Sequence, residues 1–293
     1  MTLKPLKSPS PGSGDGQDAY FARRALRRGS AGWLLLTGLG VAYVVSGDFS
    51  GWNFGLAEGG FGGLAVAMLL MGVMYACMVF SLAELSSILP TAGGGYGFAR
   101  RALGPWGGFL TGTAILIEYV LAPAAISIFI GDYVESLGLF GLTSGWPVYL
   151  ACFLSLTSRR KAPYLGLLVP GAVGFGLAAS TGDGARMLNV AVFGATISYA
   201  LMSLSHIVLR RREPGLPRPY RTPGGTATSS VALVLACAAL VATFLVDVTA
   251  AVIALLVYGA ALAYFGVYSK DRLVARAPEE EFAALAAAEA ELR

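Results

Sequence analysis

Residues 64–89 read LAVAMLLMGVMYACMVFSLAELSSIL, and Glu84 is the only charged residue among these 26. An α-helix rises about 1.5 Å per residue, so about 20 apolar residues are enough to cross the hydrocarbon core of a bilayer. The stretch therefore predicts a transmembrane helix. Similar apolar stretches lie on both sides of it in the chain.

The composition agrees with a chain whose main solvent is lipid. Hydrophobic residues make up 56% of the sequence, charged residues make up 13%, and the mean hydropathy is +0.67. Counting all apolar stretches predicts an all-α, polytopic integral membrane protein with about eight transmembrane helices. Besides 64–89, the long stretches cover residues 32–56, 106–130, 187–209, 231–246 and 250–267, and two shorter or interrupted ones cover residues 140–157 and 164–179.

Lysine and arginine are unevenly distributed when the predicted helices are laid across a bilayer in order. Of the 21 such residues, only Arg186 falls on one side, and all the others fall on the opposite side. Short loops rich in Lys and Arg stay cytoplasmic. The pattern predicts a multi-pass protein of the cell membrane, inner or plasma, with both termini in the cytoplasm. Nucleic acid is not an expected partner, because the basic residues form small clusters beside the helices rather than one binding face.

Four regions follow from this topology. Residues 1–31 form an N-terminal cytoplasmic tail, and their Pro, Ser and Gly content is typical of disorder. Residues 32–157 hold the N-terminal transmembrane helices, and residues 158–268 hold the C-terminal ones. Residues 269–293 form a second cytoplasmic tail, in which an Ala/Glu helix is expected in water.

Two carboxylates, Asp48 and Glu118, lie inside predicted transmembrane helices. Placing an ionisable group in hydrocarbon costs a few kcal/mol, which makes such a residue a candidate for function. Helix rise puts Asp48 about 24 Å and Glu118 about 18 Å from the cytoplasmic starts of their helices, so we expect both to face one chamber. Each also has a structural alternative. Asp48 is suited to cap a half-helix, and Glu118 is suited to hydrogen-bond a neighbouring helix.

The run SGDFSGWN at residues 46–53 consists mostly of poor helix formers in the second half of the first predicted helix. We expect the helix to be broken there, and such breaks are tolerated where the freed backbone lines a protein cavity. The candidate substrate-binding residues are therefore Ser46, Gly47, Asp48, Phe49, Trp52, Asn53 and Glu118.

Two further polar residues lie near the cytoplasmic ends of their predicted helices. For Glu84 we expect either a snorkelling side chain or a contact at the helix end. His206 is the only histidine and has serines nearby. We expect it at the membrane interface, with a proton relay as the alternative.

The sequence argues against an enzyme and against a cofactor. It has no metal-ligand spacing and no nucleophile elbow, and one histidine limits acid–base chemistry. The run GGGYG at residues 93–97 lacks the Gly-Lys-Ser/Thr ending of a phosphate-binding loop, which argues against ATP-driven transport. A broken first helix with carboxylates at membrane depth instead favours a secondary transporter.

Two motifs carry a resemblance to a known family. Residues 90–109 read PTAGGGYGFARRALGPWGGF and residues 218–223 read RPYRTP. The first resembles the segment between the second and third spans of the amino acid-polyamine-organocation (APC) permeases, and the second resembles their late cytoplasmic loop. Within that superfamily, residues 38–53 look most like an ethanolamine permease. The resemblance implies an inverted-repeat transporter fold and secondary transport coupled to protons or to exchange. Glu118, as a carboxyl group buried in the membrane, is our own candidate for a titrating group.

The acidic residue in the first helix favours an amine substrate within this family. The unwound first helix of these permeases offers backbone N–H groups to a substrate carboxylate, which Asp48 would repel. Ethanolamine has an ammonium and a hydroxyl group but no carboxylate, so Asp48, Ser46 and Asn53 suit it as partners. The alternative within the superfamily is a permease for an amino acid or a polyamine.

The chain also departs from the family. These permeases have about twelve spans that include an inverted repeat, so the resemblance implies that family spans five to eight are absent and that the fold is partial. An inactive, internally deleted remnant or a non-transporting membrane subunit is therefore a further alternative.

Overall fold

A computed structural model describes residues 32–89, 93–138 and 182–270, together with positions 172, 174 and 176. These ranges contain five α-helices and no strand, which confirms the all-α prediction for the part of the chain that the structure describes. The helices are α1 (Trp33–Ile88), α2 (Gly94–Ser136), α3 (Gly184–Arg212), α4 (Thr226–Val246) and α5 (Val248–Tyr264), and a π-helical turn follows at Phe265–Ser269.

Helix α1 bends sharply at Gly60, whose φ of 59° and ψ of −178° are not helical. Glycine adopts a positive φ without the steric cost that a side chain brings. A Cβ built at Gly55 would lie 2.8 Å from Cδ1 of Leu64. Nine residues of straight helix rise about 13 Å, so the two halves of α1 fold toward each other at the bend. They form two separate helical segments, as predicted for the first two spans.

The position of the break in the first helix is a correction to the sequence-based prediction. The backbone of residues 46–53 is helical, and the departure from helical geometry lies at Gly60 instead. A poor helix former costs up to about 1 kcal/mol, whereas an unsatisfied backbone group in hydrocarbon costs several. The helix therefore continues through the run and breaks where the chain passes from one segment to the next.

Helix α2 has a second bend, at Gly104 with a φ of 82°, and Pro105 follows it. Proline lacks the backbone donor and is favoured in the first turn of a helix. The pair therefore ends one helical segment and starts another. The longer segment, which runs to Ser136, contains the whole predicted span at residues 106–130.

Five helical segments in the described ranges are long and apolar enough to cross a membrane. They confirm a polytopic membrane protein and correspond to five of the predicted spans. The predicted spans at residues 140–157 and 164–179 lie outside the described residues, apart from the three isolated positions. The five segments are Gly55–Ile88, Gly94–Ser136, Gly184–Arg212, Thr226–Val246 and Val248–Tyr268.

The centre of the described structure is the contact between α2 and α3, against which α5 packs. Ile117 of α2 is buried with Phe193 of α3 and Ala250 of α5. A Cβ at Gly194 would lie 2.8 Å from the carbonyl oxygen of Ala114. Small residues let helices approach closely inside a membrane, so this glycine permits the tight α2–α3 contact that positions the side chains between them.

The basic residues of the described ranges lie at one end of the helices, with one exception. Arg101 near the start of α2 contacts Glu213 just after α3, with 2.7 Å between Nη2 and Oε2. At the opposite end Asn189 contacts Asp247 at 3.3 Å, and Arg186 lies one turn from Asn189. The one-sided charge pattern thus recurs in three dimensions. We call the first end the arginine-rich end; its basic residues are Arg100, Arg101, Arg210, Arg211, Arg212, Arg218, Arg221 and Lys270.

Candidate functional site

Most of the predicted substrate-binding residues lie in the first half of α1, where the backbone is described but only some of the side chains are. Trp52 is described, and its side chain is 45% exposed. For the others the backbone is helical but the side chains lie outside the described residues, so their role stays a prediction. These residues are Ser46, Gly47, Asp48, Phe49 and Asn53.

Glu118 is described, and two tyrosines from other helices lie at its depth. Glu118 is 13 residues after Pro105, Tyr199 is 13 residues before Arg212, and Tyr75 is 13 residues before Ile88. At 1.5 Å per residue, each lies about 20 Å along its helix from the arginine-rich end. Three polar side chains from α1, α2 and α3 therefore meet deep in the membrane-spanning part of the structure.

The three side chains form a directed chain of hydrogen bonds, which we call the midplane cluster (Tyr75, Glu118 and Tyr199). The Tyr199 hydroxyl donates to Oε1 of Glu118 at 3.3 Å. The Tyr75 hydroxyl donates to the Tyr199 oxygen at 3.4 Å. The two rings meet edge to face, with centroids 5.4 Å apart and planes at 66°. Both donors thus point toward the carboxylate.

One side of the midplane cluster is open. Among the described residues Oε2 of Glu118 has no hydrogen bond, and the Tyr75 side chain is 42% exposed. The bond to Tyr199 is the hydrogen bond to a neighbouring helix that we gave as the structural alternative for Glu118. It occupies only one of the two carboxylate oxygens. No three His, Cys, Asp or Glu side chains of the described ranges gather as metal ligands would. The chemistry that the cluster offers is hydrogen bonding and ion pairing.

A cavity leads from the end opposite the arginines toward this cluster. It has a volume of about 470 Å³ and lies between α1, α3 and α4. Asn189 and Val246 line it near the outer end, and Met71 and Thr196 line its deeper part. Met71 lies one helical turn from Tyr75, and Thr196 lies one turn from Tyr199. The cavity therefore reaches to within about one turn of the two tyrosines.

A second polar cluster, which we call the Glu84 cluster, surrounds the carboxylate of Glu84 at the arginine-rich end. Glu84 is completely buried. The Thr222 backbone N–H donates to Oε2 at 2.7 Å, and Arg218 Nε donates to Oε1 at 3.1 Å. His206 Nε2 lies 3.2 Å from Oε2, and Arg210 Nε lies 3.6 Å from Oε1. Both carboxylate oxygens therefore have partners.

His206 extends the Glu84 cluster to α4 and back to α1. Its Nδ1 lies 2.6 Å from the Ser229 hydroxyl, which lies 2.7 Å from the Ser81 hydroxyl. The His206 side chain is only 1% exposed, so it is enclosed by protein. Its predicted depth at the membrane interface stays a prediction. Of the two expectations for Glu84, the helix-end contact is confirmed and the snorkelling side chain is wrong. The cluster joins α1, α3, α4 and the loop before α4.

Sequence reasoning found Glu118 but missed Tyr75 and Tyr199. Aromatic residues in an apolar helix carry no signal of their own, since they are normal in such segments. The available signal was their equal distance from the helix ends, and it becomes readable only once the spans that pack together are known. The Glu84–His206 pair was also missed, because it too becomes visible only once the helices that pack together are known.

Comparison with known proteins gives a partial match. A family model described as "Amino acid permease" matches residues 34–146. An uncharacterized transporter of Rhizobium meliloti (strain 1021) is 32% identical over 106 residues, which are 36% of this chain and 23% of that protein. A methylthioribose transporter of Bacillus subtilis (strain 168) is 33% identical over 103 residues, which are 35% of this chain and 22% of that protein.

A plant relative gives the same picture. Cationic amino acid transporter 4, vacuolar, of Arabidopsis thaliana is 33% identical over 106 residues, which are 36% of this chain and 16% of that protein. The chain thus spans less than a quarter of the length of each of these three relatives. No solved structure matches the chain significantly. The matches support the resemblance to APC permeases and to membrane transporters, and the matched region includes both Asp48 and Glu118.

Proposed function

We propose that the chain acts as a secondary-active permease that takes up a small amine across the cell membrane, with ethanolamine as the first candidate substrate. The observation that carries this proposal is the half-satisfied carboxylate of Glu118 at membrane depth. A carboxylate there is costly unless it is paired, hydrogen-bonded or facing a polar cavity. One oxygen of Glu118 is bonded to Tyr199. The other has no hydrogen bond among the described residues, which leaves it for a cation. An ammonium group supplies that charge.

The proposed site combines Glu118 with the residues of the first span. Asp48 lies 15 residues after Trp33, or about 22 Å along the helix. This matches the depth of the midplane cluster, and we place Asp48 in the same chamber. Ser46 and Asn53 then supply hydrogen bonds to the ethanolamine hydroxyl. Gly47, Phe49 and Trp52 complete the lining.

Coupling completes the proposal. A permease without a nucleotide site draws its energy from a gradient, and a proton or an exchanged amine suits a carboxylate site. Glu118 is the group that we assign to proton binding, because it is the membrane-depth carboxylate of the described residues. The cytoplasmic side is the arginine-rich end by the positive-inside rule.

The relatives favour a second candidate substrate class. Three similar proteins of Arabidopsis thaliana bear the names of cationic amino acid transporters. A cationic amino acid has a side-chain ammonium that suits Glu118 and a carboxylate that Asp48 would repel. Competition between ethanolamine and lysine therefore separates the two candidates.

The test is uptake of labelled ethanolamine into proteoliposomes that contain the purified full chain, with an inward proton gradient. We expect saturable uptake that Glu118→Gln and Asp48→Asn abolish. Glu58→Gln is the matched control, because Glu58 is exposed near the bend of α1, far along the helix from the midplane cluster. Stronger competition by lysine than by unlabelled ethanolamine favours the amino acid permease. Absence of saturable uptake favours a non-transporting subunit or an inactive remnant.

A further inference from the structure

The midplane cluster has only acceptors left to offer a ligand. Each tyrosine hydroxyl has one donor, and both donors are used within the cluster, from Tyr75 to Tyr199 and from Tyr199 to Glu118. The oxygen of Tyr75 and Oε2 of Glu118 remain as acceptors. A ligand that fits this arrangement brings several donors and a positive charge.

A primary ammonium group meets these requirements, since it has three N–H donors and no acceptor. We propose that Tyr75 and Tyr199 make the midplane cluster selective for primary ammonium groups over N-methylated ones. The inference rests on the proposed function and names the part of the substrate that the site recognises. Tyr199 acts as a positioning residue, because it holds Oε1 and leaves Oε2 without a partner in the part of the chain that the structure describes. Tyr75 contacts the ammonium itself.

The two hydrogen bonds of the midplane cluster are long. Distances of 3.3 and 3.4 Å exceed the usual length for hydroxyl donors, which is about 2.7–2.8 Å. The cavity between α1, α3 and α4 reaches to within about one helical turn of both tyrosines.

The ring geometry argues against a site for quaternary ammonium. Such groups have no N–H donor and bind to the faces of several aromatic rings. Here two rings meet edge to face at 66°, so one ring edge covers part of the other's face. The hydroxyl oxygens, rather than two open faces, are what the pair presents beside the carboxylate.

The experiment is competition of ethanolamine, N-methylethanolamine, N,N-dimethylethanolamine and choline against labelled ethanolamine bound to the purified full chain. Each N-methyl group replaces one N–H donor of the ammonium. Because a hydrogen bond to a charged group stabilises a complex more than a neutral one does, each replacement should weaken binding by about tenfold. We expect Tyr75→Phe to weaken ethanolamine binding by about tenfold and to compress the methylation series. Tyr199→Phe should also weaken binding and compress the series, because Oε1 of Glu118 is then no longer held and the carboxylate loses its fixed position.

The matched control is Tyr119→Phe. Tyr119 is next to Glu118 in sequence and 58% exposed, and it should leave the series unchanged. Size-exclusion chromatography in detergent identifies variants that fail to fold. Each Tyr→Phe change keeps the aromatic ring and removes only the hydroxyl group. If the wild-type chain binds no ethanolamine, the proposed function fails and this inference fails with it. If it binds ethanolamine but binds choline equally well, or if both tyrosine variants keep the wild-type ranking, the inference alone is wrong.

Discussion

Glu84 and Glu118 are both carboxylates on membrane-spanning helices, yet their surroundings differ in kind. Glu84 is completely buried, and partners such as Arg218 and Thr222 occupy both of its oxygens. Glu118 has one bonded oxygen, held by Tyr199, and one that is free among the described residues. A closed carboxylate holds helices together, whereas an open one is available to a ligand.

The difference follows from what a buried charge requires. A charge removed from water is stable only when it is paired and hydrogen-bonded. The Glu84 carboxylate meets that requirement within the chain, because both of its oxygens have donors or cationic partners. The midplane cluster meets it only in part, and the remainder is what a cationic substrate supplies. The same residue type therefore has a structural role at one end and a proposed binding role at mid-depth.

The largest expected effect is a difference in stability between the Glu84→Gln and Glu118→Gln variants. Glu84→Gln leaves the buried Arg218 without its counter-charge, and breaking a buried pair in this way costs about 3–5 kcal/mol. Glu118→Gln should change stability by less than about 1 kcal/mol, because its single bond to Tyr199 is long and neutral groups can keep it. Thermal unfolding in detergent measures both. Equal melting temperatures for the two variants would break the comparison.

An intermediate effect is expected at the edge of the Glu84 cluster. Ser229→Ala removes the partner of His206 Nδ1 and one of two partners of the Ser81 hydroxyl, which still donates to the Cys77 carbonyl oxygen. Leaving buried polar groups unsatisfied should cost about 1–3 kcal/mol. The same unfolding assay checks this, with Ser230→Ala as the control, since the neighbouring serine is exposed and bonds only within its own helix. Ethanolamine binding should stay at the wild-type level, and a loss of binding would show that the two clusters are coupled.

The smallest effect concerns Asp247, which lies between α4 and α5 and outside both clusters. Its carboxylate caps α5 by accepting the Ala250 N–H at 2.9 Å, and this bond lowers the pKa of Asp247. Because the folded pKa is lowered, the stabilisation is present above the ordinary Asp value and is lost as pH falls through the lowered one, below about pH 4. Asp247→Ala should cost about 1 kcal/mol at neutral pH.

Thermal unfolding of the wild type and Asp247→Ala across pH 3 to 7 tests the cap, since the difference between them should shrink toward the acid end. Asp247→Asn is the control, because an amide oxygen still caps the helix without titrating. A difference that is constant over the whole range would contradict the assignment.

The fold was partly readable from the sequence, and the failures have a common cause. The five described spans and the isolated position of Arg186 follow from local apolar length and charge, which the sequence states directly. The break in the first helix was predicted at residues 46–53, but the structure has it at Gly60. The prediction considered helix propensity and left out the need to satisfy backbone hydrogen bonds in lipid. The contact between His206 and Glu84 was not predicted, because the two residues lie in different helices.

The candidate site divides in the same way. Glu118 was identified from the sequence because a charge at membrane depth is costly wherever it packs. Its partners were not, since Tyr199 lies 81 residues from Glu118 and 124 from Tyr75. Asp48 and its neighbours remain predictions of the sequence, because their side chains lie outside the described residues.

The amino-acid sequence by itself determined that this chain is a helical membrane protein with its basic residues on one side and a carboxylate in mid-span. These properties depend on how each segment partitions between water and lipid, which is local. Only the tertiary structure decided which carboxylate is closed and which is open. That outcome depends on side chains from three helices meeting at one depth, and packing between distant segments sets it.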